Sequence, residues 1–173
     1  MSVHPLCVQP NPVLRALAAP VETFTDDLRA LVRDLIETMY AHDGIGLAAP
    51  QIGHALQVCV ASPSQVRGQE LVLVNPTLDA SSGRSAITEG CLSVPNVWAK
   101  VKRAAWVRLR GQDVRGQFLQ LEAEGLLAVV LQHELDHLHG RLFIDRLSWF
   151  HRRRLAPRVL SRNGIGRARA ECA

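Results

Sequence analysis

Gly125-Leu-Leu-Ala-Val-Val-Leu-Gln-His-Glu-Leu-Asp-His-Leu-His-Gly140 carries a secondary-structure signal and a chemical one in the same sixteen residues. Apolar residues recur at helical spacing and a glycine follows the last of them, which predicts one helix from about Gly125 to His139. Leu126, Val130, His133 and His137 then share a stripe at i, i+4, i+7 and i+11. Both imidazoles therefore lie one turn apart on the face that otherwise builds the core. Histidines at i and i+4 chelate a single metal ion, and Glu134, one step round the helix, reaches a water beside it. The competing reading is a pair of hydrogen-bonded core histidines, because an unpaired polar group there costs about 1–3 kcal/mol.

Two upstream stretches bear on that choice. Gly44-Ile45-Gly46-Leu47-Ala48-Ala49-Pro50-Gln51 sets two glycines and a proline among small residues, so the backbone can approach a ligand closely and Gln51 offers an amide. A tight loop with Gln51 capping backbone explains it equally. Glu89-Gly90-Cys91-Leu92-Ser93 presents a thiolate ligand or nucleophile, or else a buried inert thiol.

The remaining chain frames these stretches. At 173 residues, 47% hydrophobic and 21% charged, it suits one globular domain with a sizeable core. Cys7, Cys59, Cys91 and Cys172 form no CxxC pair, and no signal peptide precedes them, so a reducing cytoplasm is expected. No apolar run approaches the roughly 20 residues that cross a bilayer. The net charge of +4 divides unevenly: residues 1–145 carry −3, and residues 146–173 carry +7, with eight arginines against Glu171. That tail is either a solvated helix end or a surface for an anionic partner such as RNA.

Met1 to Val21 reads as a proline-punctuated arm with Leu14 and Leu17 turned inward. A helix from about Asp26 to Tyr40 starts at Thr25 as N-cap, with Asp26 and Asp27 at its positive end. Gln57 to Ala61 and Leu71 to Val74 read as strands, the second ended by Asn75-Pro76, with a loop at Ala80 to Arg84. Segments around Val101, Trp106 to Leu109 and Phe118 to Leu121 fit antiparallel hairpins, with Trp98, Trp106 and Phe118 as packing residues. A last helix from about Ser148 to Leu160 carries Trp149, Phe150 and Leu155 on one side, and Pro157 argues against its continuity.

In their order and spacing, the stretches at 44–51, 89–93 and 132–137 resemble the three signature motifs of the peptide deformylase family. The likeness extends over nearly the whole chain. It implies an α+β fold in which antiparallel strands form small sheets around a central buried metal-binding helix, followed by a C-terminal helix. Residues 1–146 would be the catalytic domain, with 147–173 a basic helix and tail of the same domain. By the resemblance, Cys91, His133 and His137 bind one divalent metal ion and leave a fourth position for water. Iron(II) is favoured in the cell, and zinc, nickel or cobalt are alternatives. Glu134 is then the general base, and the Gln51 amide and Leu92 backbone N–H hold the oxyanion as the formyl group leaves formyl-methionine and formate is released. Gly44, Ile45, Gly46, Ile87, Leu126, Val129, Val130 and Trp98 resemble the substrate pocket, the apolar members taking the methionine side chain. Glu89 is expected to pair with Arg103 and brace the metal loop.

The sequence departs from the pattern after Val94-Pro95. Where many members carry Gly or Glu and then an arginine that touches the peptide, this chain has Asn96-Val97-Trp98. Arg152, Arg153, Arg154, Arg158, Arg162, Arg167 and Arg169 resemble the C-terminal helix by which some members dock on the ribosome. The partners implied are thus a nascent formylated polypeptide and the ribosome, with no membrane and no DNA, for a monomer. Two other classes share the central helix. A zinc peptidase would need a third ligand downstream, where only His139, His151, Asp145 and Glu171 are available. An RNA-binding domain with a structural metal would close all four positions.

Overall fold

The computed structural model describes residues 2–160, with side chains to residue 155. Helix α1 (Asp26–Ala41) precedes strands β1 (Gly46–Ala48), β2 (Val58–Ala61), β3 (Leu71–Ser82), β4 (Ser85–Cys91), β5 (Val94–Arg103), β6 (Trp106–Gln112) and β7 (Phe118–Glu124). Helices α2 (Gly125–Leu138) and α3 (Trp149–Leu160) complete the order. The strands form a five-stranded sheet, β1-β2-β3-β6-β7, and a separate hairpin, β4-β5. All these pairs are antiparallel, as expected of small sheets in an α+β chain.

β2 explains why the sheet lies between two helices. Val58-Cys59-Val60-Ala61 has no polar alternation, the pattern of a strand covered on both faces. Val58 and Val60 pack with Leu28, Leu31 and Leu35 of α1, whereas Cys59 and Ala61 pack with Ala128, Val130 and Leu131 of α2. Each fully buried leucine contributes roughly 1.5–3 kcal/mol, so Leu35 and Leu131 hold the two helices to opposite faces. The β4-β5 hairpin has its own core, in which Val94, Val97 and Val101 meet Leu14 of the arm and Leu142, Phe143 and Leu147 beyond α2.

Several local expectations are corrected. β3 does not stop at Asn75-Pro76 but runs to Ser82, with register shifts between Val74 and Thr77 and between Leu78 and Ala80. The break is repaired by a side chain: Asn75, at φ +51°, accepts from Val21 N–H at 2.8 Å and donates to Val21 C=O at 2.9 Å. A bulge thereby carries a proline that a regular ladder would reject. Thr25 occupies the N-cap of α1 in extended geometry without a side-chain capping bond. Leu14 is buried but Leu17 is exposed. Phe118, 90% exposed at the start of the edge strand β7, packs no core, and Trp149 and Phe150 also lie open. α3 continues through Pro157. Cys59 and Cys91 are free thiols. Cys172, Arg162, Arg167 and Arg169 lie outside the described residues.

Candidate metal centre and active site

α2 begins where β7 ends, with Gly125 at φ +59° turning strand into helix, and its His139–Gly140 end is closed by a glycine at φ +67°. The stripe expected on one face grades from open to closed. Leu126 is 44% exposed, whereas Val130 and His137 are buried. Opposite His137, the β4-β5 hairpin delivers Cys91 from the last position of β4, paired with Val94 across the turn. Cys91 Sγ lies 3.2 Å from His137 Nε2, and one ligand atom each from Cys91, His133 and His137 falls within a span of 4.8 Å. It is the metal-capable group of this kind among the described residues.

The chemistry of this donor set fits a divalent cation. A thiolate and two imidazoles are three protein ligands of a tetrahedral ion, with one position left for water. Burial holds the His137 ring well below the usual imidazole range, keeping it neutral as a ligand must be. Burial also works against charge on His133, yet Cys91 and Glu89 raise that ring well above its usual range. The raised ring favours its proton, which an ion binding there would displace. His133 presents Nδ1 to Glu89 Oε2 at 2.9 Å, which leaves Nε2 for the ion, and Phe143 stacks on its ring at 6.1 Å between centroids.

A buried charge network sets the Glu89 position. Arg103 grips Glu89 through two hydrogen bonds, 2.8 Å to Oε1 and 2.9 Å to Oε2, and also pairs with Asp136 on α2. Arg146 binds Asp136 from outside. Burial opposes the Glu89 charge, but the hydrogen bonds from Arg103 and His133 hold its carboxyl at about 2. The expected Glu89–Arg103 pair is thus present. Asp136, Arg146 and Phe143 were not foreseen: Asp136 carried a signal inside the motif, and the other two carried none.

Glu134 is buried in a different way. Burial pushes its carboxyl up to about 7, against the pull of His133 and Arg103, and Oε2 has no hydrogen-bond partner. Gly46 on β1 makes the room. A Cβ there would lie 2.4 Å from Glu134 Oε1 and 2.8 Å from Val130 Cγ1. Gln51 is oriented by its own segment: Ala48 N–H donates to Oε1 at 2.8 Å, so Nε2 faces the hairpin, 3.2 Å from Ser93 Oγ and 3.7 Å from Cys91 Sγ.

These groups line one groove of about 600 Å³. Gly44, Ile45, Gly46, Gln51, Ile87, Cys91, Leu92, Trp98, Leu126, Val129, Val130, His133 and Glu134 all border it, and His137 lies behind Cys91. Sequence reasoning left out Leu6, His42 and Asp43, which also border it.

The sequence model of the family described as "Polypeptide deformylase" matches residues 3–153. A peptide deformylase of Tolumonas auensis is 45% identical over 156 residues, covering 89% of this chain and 93% of its own. One of Acinetobacter baumannii is 42% identical over 160 residues, covering 92% and 91%. The crystal structure of a peptide deformylase from Legionella pneumophila superposes with a TM-score of 0.88 at 40% identity, covering 91% of this chain and 94% of that one. The chain belongs to the polypeptide deformylase family, the enzymes that remove the formyl group from N-formyl-methionine.

Proposed function

We propose that Cys91, His133 and His137 hold one divalent metal ion, and that Glu134 is the general base in freeing new polypeptides of their N-terminal formyl group. The carrying observation is that one thiol and two imidazoles lie within 4.8 Å of one another, beside a groove that a buried carboxylate with one unpartnered oxygen also lines. When bound, the ion supplies a Lewis acid that acidifies water and polarises a carbonyl. Glu134, its carboxyl near 7, takes a proton from the attacking water and passes it to the departing amine. Gln51 Nε2 and the Leu92 backbone N–H donate to the charge that develops on the formyl oxygen. Products are formate and a peptide with a free amino terminus.

Substrate binding follows from the groove walls. β1 is an edge strand, so Gly46 offers unpaired backbone to an extended peptide. Ile45, Ile87, Leu126, Val129 and Val130 receive the methionine side chain, Gly44 borders the path of the peptide, and Trp98 stands on the rim. Iron(II) is the proposed cellular ion because a thiolate ligand suits it, with zinc, nickel and cobalt able to replace it. Iron beside a thiolate oxidises, so activity should fall in air. Every group named belongs to one chain, which supports a working monomer. A cytoplasmic site and docking of the basic C-terminal segment on the ribosome complete the proposal, the docking weakening steeply with salt.

Formate release from formyl-Met-Ala-Ser by anaerobically purified enzyme tests the reading. Glu134→Gln should retain metal and lose turnover, and the unformylated peptide should stay intact. A metal-loaded wild type that releases no formate refutes it.

A further inference from the structure

Trp98 does not fill the core as its size predicts, for 70% of it is exposed. Its six-membered ring rests on Gly90, where a Cβ would come within 2.7–2.9 Å of three ring atoms. That contact holds the indole at a rim shared by two depressions. One is the active-site groove. The other, of about 480 Å³, runs between β5 and α3 and is lined by Trp98, Lys100, Leu147, His151, Arg154 and neighbours. No carboxylate lines it. Among the described residues, neither Lys100 nor Arg154 is engaged in an ion pair.

The first groove takes a polypeptide that continues beyond its formyl-methionine, and an extended chain advances about 3.3 Å per residue. Residues past the first few must leave across a rim. We infer that Trp98 and the cationic depression are an extension of the substrate groove, fitted to an acidic stretch of the polypeptide a few residues beyond the formyl-methionine. This rests on the deformylase reading of the first groove. The exposed indole gives the crossing chain a rigid apolar surface at low entropic cost. Beyond it, Lys100 and Arg154 attract Asp or Glu side chains. Continuity through Trp98 selects a peptide over a nucleic acid as occupant, because the polypeptide is already seated on the other side of the same ring.

The test uses the full-length, metal-loaded enzyme at low ionic strength. Formyl-Met-Ala-Ser is compared with the same tripeptide extended by Gly-Asp-Asp-Asp or by Gly-Lys-Lys-Lys. Exposed ion pairs are individually weak, so two or three together give a KM lower for the acidic peptide on the order of tenfold, with kcat alike. Added salt erases the difference. Lys100→Glu with Arg154→Glu reverses the preference and leaves tripeptide turnover unchanged, which also shows that the double variant is folded. Equal KM values for the two long peptides, or a preference that survives the double reversal, overturn the inference while the tripeptide reaction stands. Failure with the tripeptide overturns the function and the extension together. An oligoribonucleotide that binds wild type, is lost by the double variant and leaves peptide KM values equal would assign the depression to nucleic acid instead.

Discussion

Gly46→Ala perturbs the proposed base without touching a ligand residue. The new methyl would sit 2.4 Å from Glu134 Oε1, 3.0 Å from Glu134 Cδ and 2.8 Å from Val130 Cγ1. Real contacts of this kind essentially never fall below 3.0 Å, and ordinary ones begin near 3.4 Å. The carboxylate and β1 must therefore separate by at least 0.6 Å, and by 1.0 Å to reach ordinary contact, these being the differences from 2.4 Å. Neither side yields easily, since Val130 is packed in the core and β1 is paired to β2. A displacement of about 1 Å at a reacting group costs about 100-fold in rate. Overpacking adds a loss of roughly 1–3 kcal/mol in stability. Formate release should fall about 100-fold in kcat while metal content holds, and urea unfolding should report the stability loss. Because the effect acts through Glu134, the variant that also carries Glu134→Gln should be no slower than Glu134→Gln alone. Gly46→Ala with wild-type kcat and stability, or a fully additive double variant, would refute the reasoning.

Arg103→Met leaves Glu89 and Asp136 buried without their shared partner, and a loss of about 3–5 kcal/mol is expected in denaturant unfolding. Chelation should abolish formate release and lower the melting temperature, both restored by an added divalent ion, because an ion that binds only the folded chain stabilises it. Acid should act through Glu89: its folded carboxyl is held at about 2, below the usual value, so its contribution is complete above about pH 4.5 and lost as pH falls towards 2. Unfolding free energy measured across that range should drop for wild type and be flatter for Glu89→Gln.

What was legible in the sequence was local. The two histidines are four residues apart on one helix, so period and motif place them together without any knowledge of the fold. Strand β2 was legible for the same reason, as a short apolar run between turn residues. β3 was misjudged at Asn75-Pro76 because the repair comes from Val21, 54 positions away. Phe118 was read as a packing residue and Trp149 and Phe150 as one apolar side of the last helix, but neither reading tells which face of an edge strand or terminal helix is covered. Likewise Arg146 and Phe143 touch the metal-binding region only because the chain turns back under α2.

Gly46 and Gly90 show how a short motif can encode distant geometry. Neither has the positive φ that demands glycine for backbone reasons. Each is small because something from elsewhere occupies its missing side chain: Glu134 and Val130 of α2 at Gly46, and Trp98 of β5 at Gly90. The first contact lets a carboxylate stay buried beside the donor set with one oxygen unpartnered. The second sets an indole at the groove rim, the residue that the sequence reading gave both to packing and, by family resemblance, to the substrate pocket. In both cases the glycine is a negative imprint of its partner, so the sequence marks the position while only the fold reveals what fills it. Glu134 and Trp98 then take different parts from similar supports. In the proposed reaction burial prepares the first for proton transfer, and in the inferred groove extension exposure leaves the second free to meet the polypeptide.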